Sequence, residues 1–163
     1  MGGRSGSVRR VTTTSGFLSP SEAATGVPAP ASEVVGADPA PAVLLGGSED
    51  TRLLLRGLLR LHRHRVLLET QAPEGIARVP TTSEAKVLVF DTGGETDRTW
   101  SETLSSVLRS RPDFRALVIL PSTDPALDAL ARKAGARMVL VRPFAIREFI
   151  AAVDSTVADA APA

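Results

Sequence analysis

The feature that most constrains this chain is a rhythm of short apolar runs, each stopped by a turn and each followed by an amphipathic stretch. The runs are Ala42-Val43-Leu44-Leu45, Val66-Leu67-Leu68-Glu69-Thr70, Lys86-Val87-Leu88-Val89-Phe90-Asp91, Ala116-Leu117-Val118-Ile119-Leu120 and Met138-Val139-Leu140-Val141. Continuous apolar runs of this length, rich in Val and closed by Gly or Pro, read as strands covered on both faces in a parallel sheet. The central run ends at a carboxylate, Asp91, before the loop Thr92-Gly93-Gly94. Ligands of open α/β sheets sit outside the carboxyl ends of the strands, so Asp91 stands where a phosphate or metal site would be built.

The stretches between the runs supply the covering helices. Ser48, Glu49 and Asp50 offer an N-cap and two negative charges to a helix from about Glu49 to His62. Leu54, Leu58 and Leu61 are expected on its buried face with Leu55 and Leu59 beside them, and Arg52, Arg56, Arg60 and Arg63 on its solvated side. A short helix is expected from Pro73 to Val79, and Pro80-Thr81-Thr82-Ser83 loops into the central strand. Trp100, Leu104, Val107 and Leu108 mark a further helix ending near Arg111-Pro112. Ser122, Thr123 and Asp124 offer caps to the next, which runs through Leu127, Leu130 and Ala131 to Gly135, and Ile146, Phe149, Ile150 and Val153 mark the last. Five such units, joined by short loops and right-handed crossovers, predict a doubly wound five-stranded parallel sheet in a three-layer α/β/α sandwich.

Composition narrows the functions. A net charge of +1 creates no global field toward nucleic acid or membrane. The absence of cysteine excludes disulfides, thiolate chemistry and cysteine zinc sites. No apolar run is long enough to span a membrane and no h-region follows Arg4, Arg9 and Arg10, so a cytoplasmic protein is expected. Residues 1–40, rich in Pro, Ala, Gly and Ser, show no hydrophobic period and are expected to be a disordered tail. A domain over 41–157 and a frayed end over 158–163 complete the expected layout. His62 and His64 diverge on a helix and have no carboxylate at ligand spacing, which disfavours metal there. Tyr is absent and the arginines have no aromatic partners, so nucleic-acid binding is disfavoured.

From Pro41 to Val157 the order of elements resembles the receiver domain of two-component response regulators, a flavodoxin-like fold. Two stretches carry the resemblance. Val87-Leu88-Val89-Phe90-Asp91 is similar to the strand ending in the phosphoacceptor aspartate, and Ala134-Gly135-Ala136 through Val139-Leu140-Val141-Arg142-Pro143-Phe144 is similar to the family's "AGA…LxKPF" run. The resemblance implies phosphorylation of Asp91, with Mg²⁺ held by two acidic residues after the first strand. It also implies a lysine after the fifth strand, a Thr or Ser after the fourth and an inward-turning aromatic on the fifth.

This sequence departs from most of that pattern. The acidic pair falls on Gly46 and Gly47, the lysine on Arg142, and the aromatic on Val139. The hydroxyl falls on Leu120, or on Pro121 or Ser122 with a gap. Asp91, a cis-prone Arg142-Pro143 bond and the hydrophobic frame remain. Glu49 and Asp50 are the substitutes within reach of a metal site, and Mg²⁺ is expected only if one of them turns inward. Otherwise no cofactor is expected.

An arginine fork beside Asp91 could occupy both carboxylate oxygens and hold the site in one state without phosphate. The expectation is therefore a non-enzymatic pseudo-receiver in phosphorelay signalling. It would bind a signalling partner (a histidine kinase or an output protein) through the face around the last two helices, with action alone or as a homodimer as the alternatives. No output domain is expected after the last helix. The alternatives are a competent phosphoacceptor at Asp91 and a flavin- or nucleotide-binding protein. For the latter, Gly46-Gly47-Ser48-Glu49-Asp50-Thr51 is a faint phosphate loop without the usual Lys.

Overall fold

Strand follows helix through the computed structural model, which describes residues 39–94 and 98–158. The expected tail, apart from Pro39 and Ala40, and the expected frayed end beyond Ala158 lie outside the described residues. The elements are β1 (Ala42–Gly46), α1 (Glu49–Leu61), β2 (Val66–Thr70), a 3-10 helix (Pro73–Arg78), β3 (Lys86–Asp91), α2 (Thr99–Ser110), β4 (Phe114–Leu120), α3 (Pro125–Ala134), β5 (Ala136–Val141) and α4 (Ile146–Ala158). The five strands form one parallel sheet in the order β2-β1-β3-β4-β5. The chain thus winds one way from β1 and then the other, and the reversal lies between β1 and β3, where Asp91 ends its strand.

Side chains alternate across each strand, so each strand feeds two cores. Val43, Leu45, Leu88, Phe90, Val118 and Leu120 pack on one face against Trp100, Leu104 and Val107 of α2 and Leu127 and Ala131 of α3. Leu44, Val87, Val89, Leu117 and Ile119 pack on the other against Leu55 and Leu59 of α1 and Phe149 and Val153 of α4. Every residue of β3 is buried. That is why the central run carries no polar alternation.

The helix ends follow from local chemistry. The Ser48 side chain accepts the N–H of Thr51, and Glu49 and Asp50 sit in the first turn of α1. Asp124 caps α3 through the N–H of Ala126, and Gly135 ends that helix in the left-handed conformation. The stretch after β2 forms a 3-10 helix over Pro73–Arg78 rather than an α-helix.

Two features of α1 differ from expectation. Leu55 and Leu59 are its buried residues, while Leu54 and Leu61 face solvent at 60% and 75% exposure. The leucines outnumber the positions one face can bury, so the run Leu53-Leu54-Leu55 left the phase of the helix open to more than one reading. The arginines shift with it. Arg52 and Arg56 are half-buried and hydrogen-bonded, Arg56 to Glu69 at 2.9 Å, while Arg60 and Arg63 are exposed. His64 is also buried, with Nδ1 3.2 Å from the Ala40 carbonyl and Nε2 3.1 Å from Asp154. Ala40 itself is buried, so packing begins just before the expected boundary.

A buried ion cluster closes the end of the sheet opposite Asp91, where β3 and β4 begin. Asp113 accepts hydrogen bonds from Arg111 at 2.7 and 2.9 Å and from Lys86 at 2.9 Å. Arg111 also donates to the carbonyls of Ile76, Val79 and Pro80, tying the 3-10 segment to the start of β4. The Arg111 hydrogen bonds, joined by that of Lys86, hold the Asp113 carboxyl down at about 2 and outweigh the upward push of burial.

Candidate functional site

Three neighbouring strands bring the site together. The backbone of Asp91 pairs with Gly46 of β1 on one side and with Ile119 of β4 on the other. Its side chain is 3% exposed. The Arg142 N–H donates to the Leu120 carbonyl at 3.0 Å, which anchors Arg142 to the end of β4. From there its guanidinium reaches past β4, and Nη2 donates to Asp91 Oδ2 at 2.7 Å.

The expected two-oxygen fork does not form. Asp91 Oδ1 accepts the Gly93 N–H at 2.9 Å instead, because the loop turns back at Gly93 with φ +68°. Arg142 and the loop thus share the carboxylate, one oxygen each, through two charge-assisted hydrogen bonds.

Gly46 and Gly47 are shaped around this carboxylate. Both are left-handed, with φ +84° and +69°. A Cβ on Gly46 would lie 2.4 Å from the Asp91 carbonyl oxygen, and one on Gly47 would lie 2.4 Å from Asp91 Oδ2. Asp91 itself, through its carbonyl oxygen and its carboxylate, therefore fills the space into which side chains at these positions would project. Arg52 closes the pair from the other side, its Nη1 donating to the Gly47 carbonyl at 2.6 Å and the Gly46 carbonyl at 3.2 Å.

A Mg²⁺ held by side chains does not fit these residues. Gly46 and Gly47 carry no ligands, and Glu49 and Asp50 are exposed in the first turn of α1. Among the described residues no group of three or more His, Asp or Glu is placed to hold a metal ion. The same two carboxylates, at the helix start that would receive a phosphate, oppose an anion in the Gly46–Thr51 loop.

The remaining positions are equally explicit. Leu120 is fully buried in the core, Ser122 is exposed, and Pro121 lines the cavity of about 380 Å³ that Asp91 shares with Arg142, Ser48 and Thr51. No hydroxyl from the β4 end lines that cavity. Val139 packs against the α2–α3 core as an aliphatic side chain. Pro143 is exposed and its bond to Arg142 is cis. A second cavity of about 340 Å³ lies on the other side of Asp91, lined by Gly47, Ser48, Gln71, Thr92, Trp100 and Thr103.

Sequence reasoning missed Arg52 in this site. The signal was present: Arg52 precedes the buried Leu55 and Leu59 by three and seven residues, the spacing of one helix face. Phasing the helix on Leu54, Leu58 and Leu61 turned it outward.

No protein-family model matches the chain, and no curated protein matches it. Solved structures do. A response regulator from Thermotoga maritima superposes with a TM-score of 0.62 at 18% identity, covering 73% of this chain and 98% of that one. A response regulator receiver domain protein from Clostridium thermocellum gives 0.62 at 16% identity, covering 74% and 96%. A putative pilus assembly-related protein from Burkholderia pseudomallei gives 0.64 at 18% identity, covering 76% and 94%. At such identities the likeness is one of architecture: this chain has the CheY-like, flavodoxin-type fold that receiver domains share.

Proposed function

We propose that this protein is a degenerate receiver module in two-component or phosphorelay signalling, acting through protein–protein contact while an internal Asp91–Arg142 pair takes the place of the phosphorylation switch. One observation carries the reading: both oxygens of Asp91 are engaged by the protein itself, Oδ2 by Arg142 at 2.7 Å and Oδ1 by the Gly93 N–H at 2.9 Å. A buried carboxylate so paired needs no divalent cation to balance it, and a phosphodonor approaching it must first displace the arginine. In this reading the protein is not an enzyme and holds no cofactor, and its partner is a signalling protein such as a histidine kinase or an output protein.

The fold supports the signalling assignment, because receiver domains recur among the similar structures. The likeness to a putative pilus assembly-related protein favours a second setting, in which the same module docks within a multiprotein assembly. Both settings make the same demand on Asp91.

The single tryptophan provides the test. Trp100 and Asp91 line the same cavity. Titration with Mg²⁺ should leave Trp100 fluorescence without a saturable change, in the wild type and in Asp91→Asn alike. Saturable quenching that Asp91→Asn abolishes would identify a competent metal site and favour ordinary phosphorylation of Asp91.

A further inference from the structure

The outward face of α1 has no role in the Asp91 site, yet its composition is unusual for a solvated surface. Leu53, Leu54 and Leu61 are 54%, 60% and 75% exposed. Isolated apolar residues on a surface are ordinary, but these three share one side of one helix. At 100° per residue, the midpoint of the buried Leu55 and Leu59 lies diametrically opposite Gly57. Gly57 is therefore at the centre of the exposed face, with Leu53 on one flank and Leu54 and Leu61 on the other.

Glycine is unfavourable inside a helix, and nothing among the described residues requires it at this position. A Cβ added to Gly57 would meet no atom within 4 Å. The exposed leucines and the bare glycine have one common explanation: another helix crosses here, close enough for backbone to pass backbone, and covers the leucines.

The charges identify that helix. The start of α1 is acidic, with Glu49 and Asp50, and its end is basic, with Arg60 and the exposed Arg63 just beyond. A second copy running antiparallel, on a two-fold axis through Gly57, sets Leu53 against Leu61 and turns each acidic start toward the other's basic end. A parallel copy would set like charges together.

We propose that the outer face of α1 is a self-association surface on which a second copy of this chain packs antiparallel, the two helices crossing at Gly57. Leu54 also lines, with Pro143, Phe144 and Arg142, the cavity between α1 and the loop into α4, so this face borders the Asp91 site. The proposal does not depend on the chemical state of Asp91.

The test uses the full chain in sedimentation equilibrium, beside Leu54→Glu/Leu61→Glu. Both substituted positions are exposed, so the variant should fold as the wild type does. A reversible wild-type dimer is expected, its dissociation constant raised about a hundredfold or more in the variant. Because the chain has no cysteine, cross-linking then gives the direction. Leu53→Cys mixed with Leu61→Cys should form the disulfide dimer efficiently, and Leu53→Cys alone should form little. A wild-type monomer at every accessible concentration, a dimer indifferent to the two glutamates, or stronger self-linking of Leu53→Cys than of the mixture would overturn the proposal. The first of these would leave the face to a helix of another protein.

Discussion

Asp91 is held by what surrounds it, and each neighbour can be removed separately. Arg142→Ala leaves a carboxylate that is 3% exposed with only the Gly93 N–H. Because Arg142 is itself 30% exposed, the cost should be about 2 kcal/mol, below that of breaking a fully buried pair. Urea denaturation measures it, and Arg142→Lys should recover part of the loss by restoring charge without the planar fork. Gly47→Asp places at this position the acidic residue type that the resemblance to receiver domains implies, yet it should not create metal binding. It forces a side chain into the left-handed region and against Asp91 Oδ2, so about 2 kcal/mol or more of destabilisation is expected. Gly47→Asp with the stability of the wild type and a gained Mg²⁺ response would show the glycine pair to be a simple loss of ligands. Asp91, the glycine pair and Arg142 were legible in the sequence because each follows an apolar run at a strand end. The sharing of the carboxylate was not, because it depends on the turn at Gly93, whose left-handed φ no pattern of apolar residues encodes.

At the scale of elements, the strands read directly because length, Val content and terminal turn residues all agree. Helix α1 was harder. Its leucines at 53, 54, 55, 58, 59 and 61 satisfy more than one helical phase. Tertiary packing decides between them, placing Leu55 and Leu59 on the sheet and bringing Arg52 to the Gly46 and Gly47 carbonyls. The two phases make opposite predictions. Leu55→Ala should cost about 3 kcal/mol by opening a cavity in the core, whereas Leu54→Ala should cost less than about 0.5 kcal/mol in dilute solution, measured by thermal or urea unfolding. Comparable losses at both positions would contradict the packing described for α1.

For the molecule as a whole, the two ends of the central strands carry different charge chemistry. At the carboxyl end of β3, Asp91 pairs with an arginine that is 30% exposed. At the opposite end Asp113 is enclosed with Lys86 and Arg111, and their hydrogen bonds lower its carboxyl from 3.8 to about 2. A carboxyl depressed in the native state stabilises the fold above its unfolded value and loses that contribution as pH falls through the native one. Roughly 2 kcal/mol of stability should therefore disappear between pH 4 and pH 2. Asp113→Asn should remove that part of the acid transition and cost about 3 kcal/mol at neutral pH, since Lys86 and Arg111 stay buried. Among the described residues no helix is long and apolar enough to cross a membrane. Whether the Asp91–Arg142 pair stands in place of phosphorylation is tested by the intact mass of the protein after incubation with Mg²⁺ and a small-molecule phosphodonor. Under conditions that label an ordinary receiver domain, an unchanged mass is expected, the same as that of an Asp91→Asn control. A gain of one phosphoryl group that Asp91→Asn abolishes would contradict it and make this chain a working phosphoacceptor.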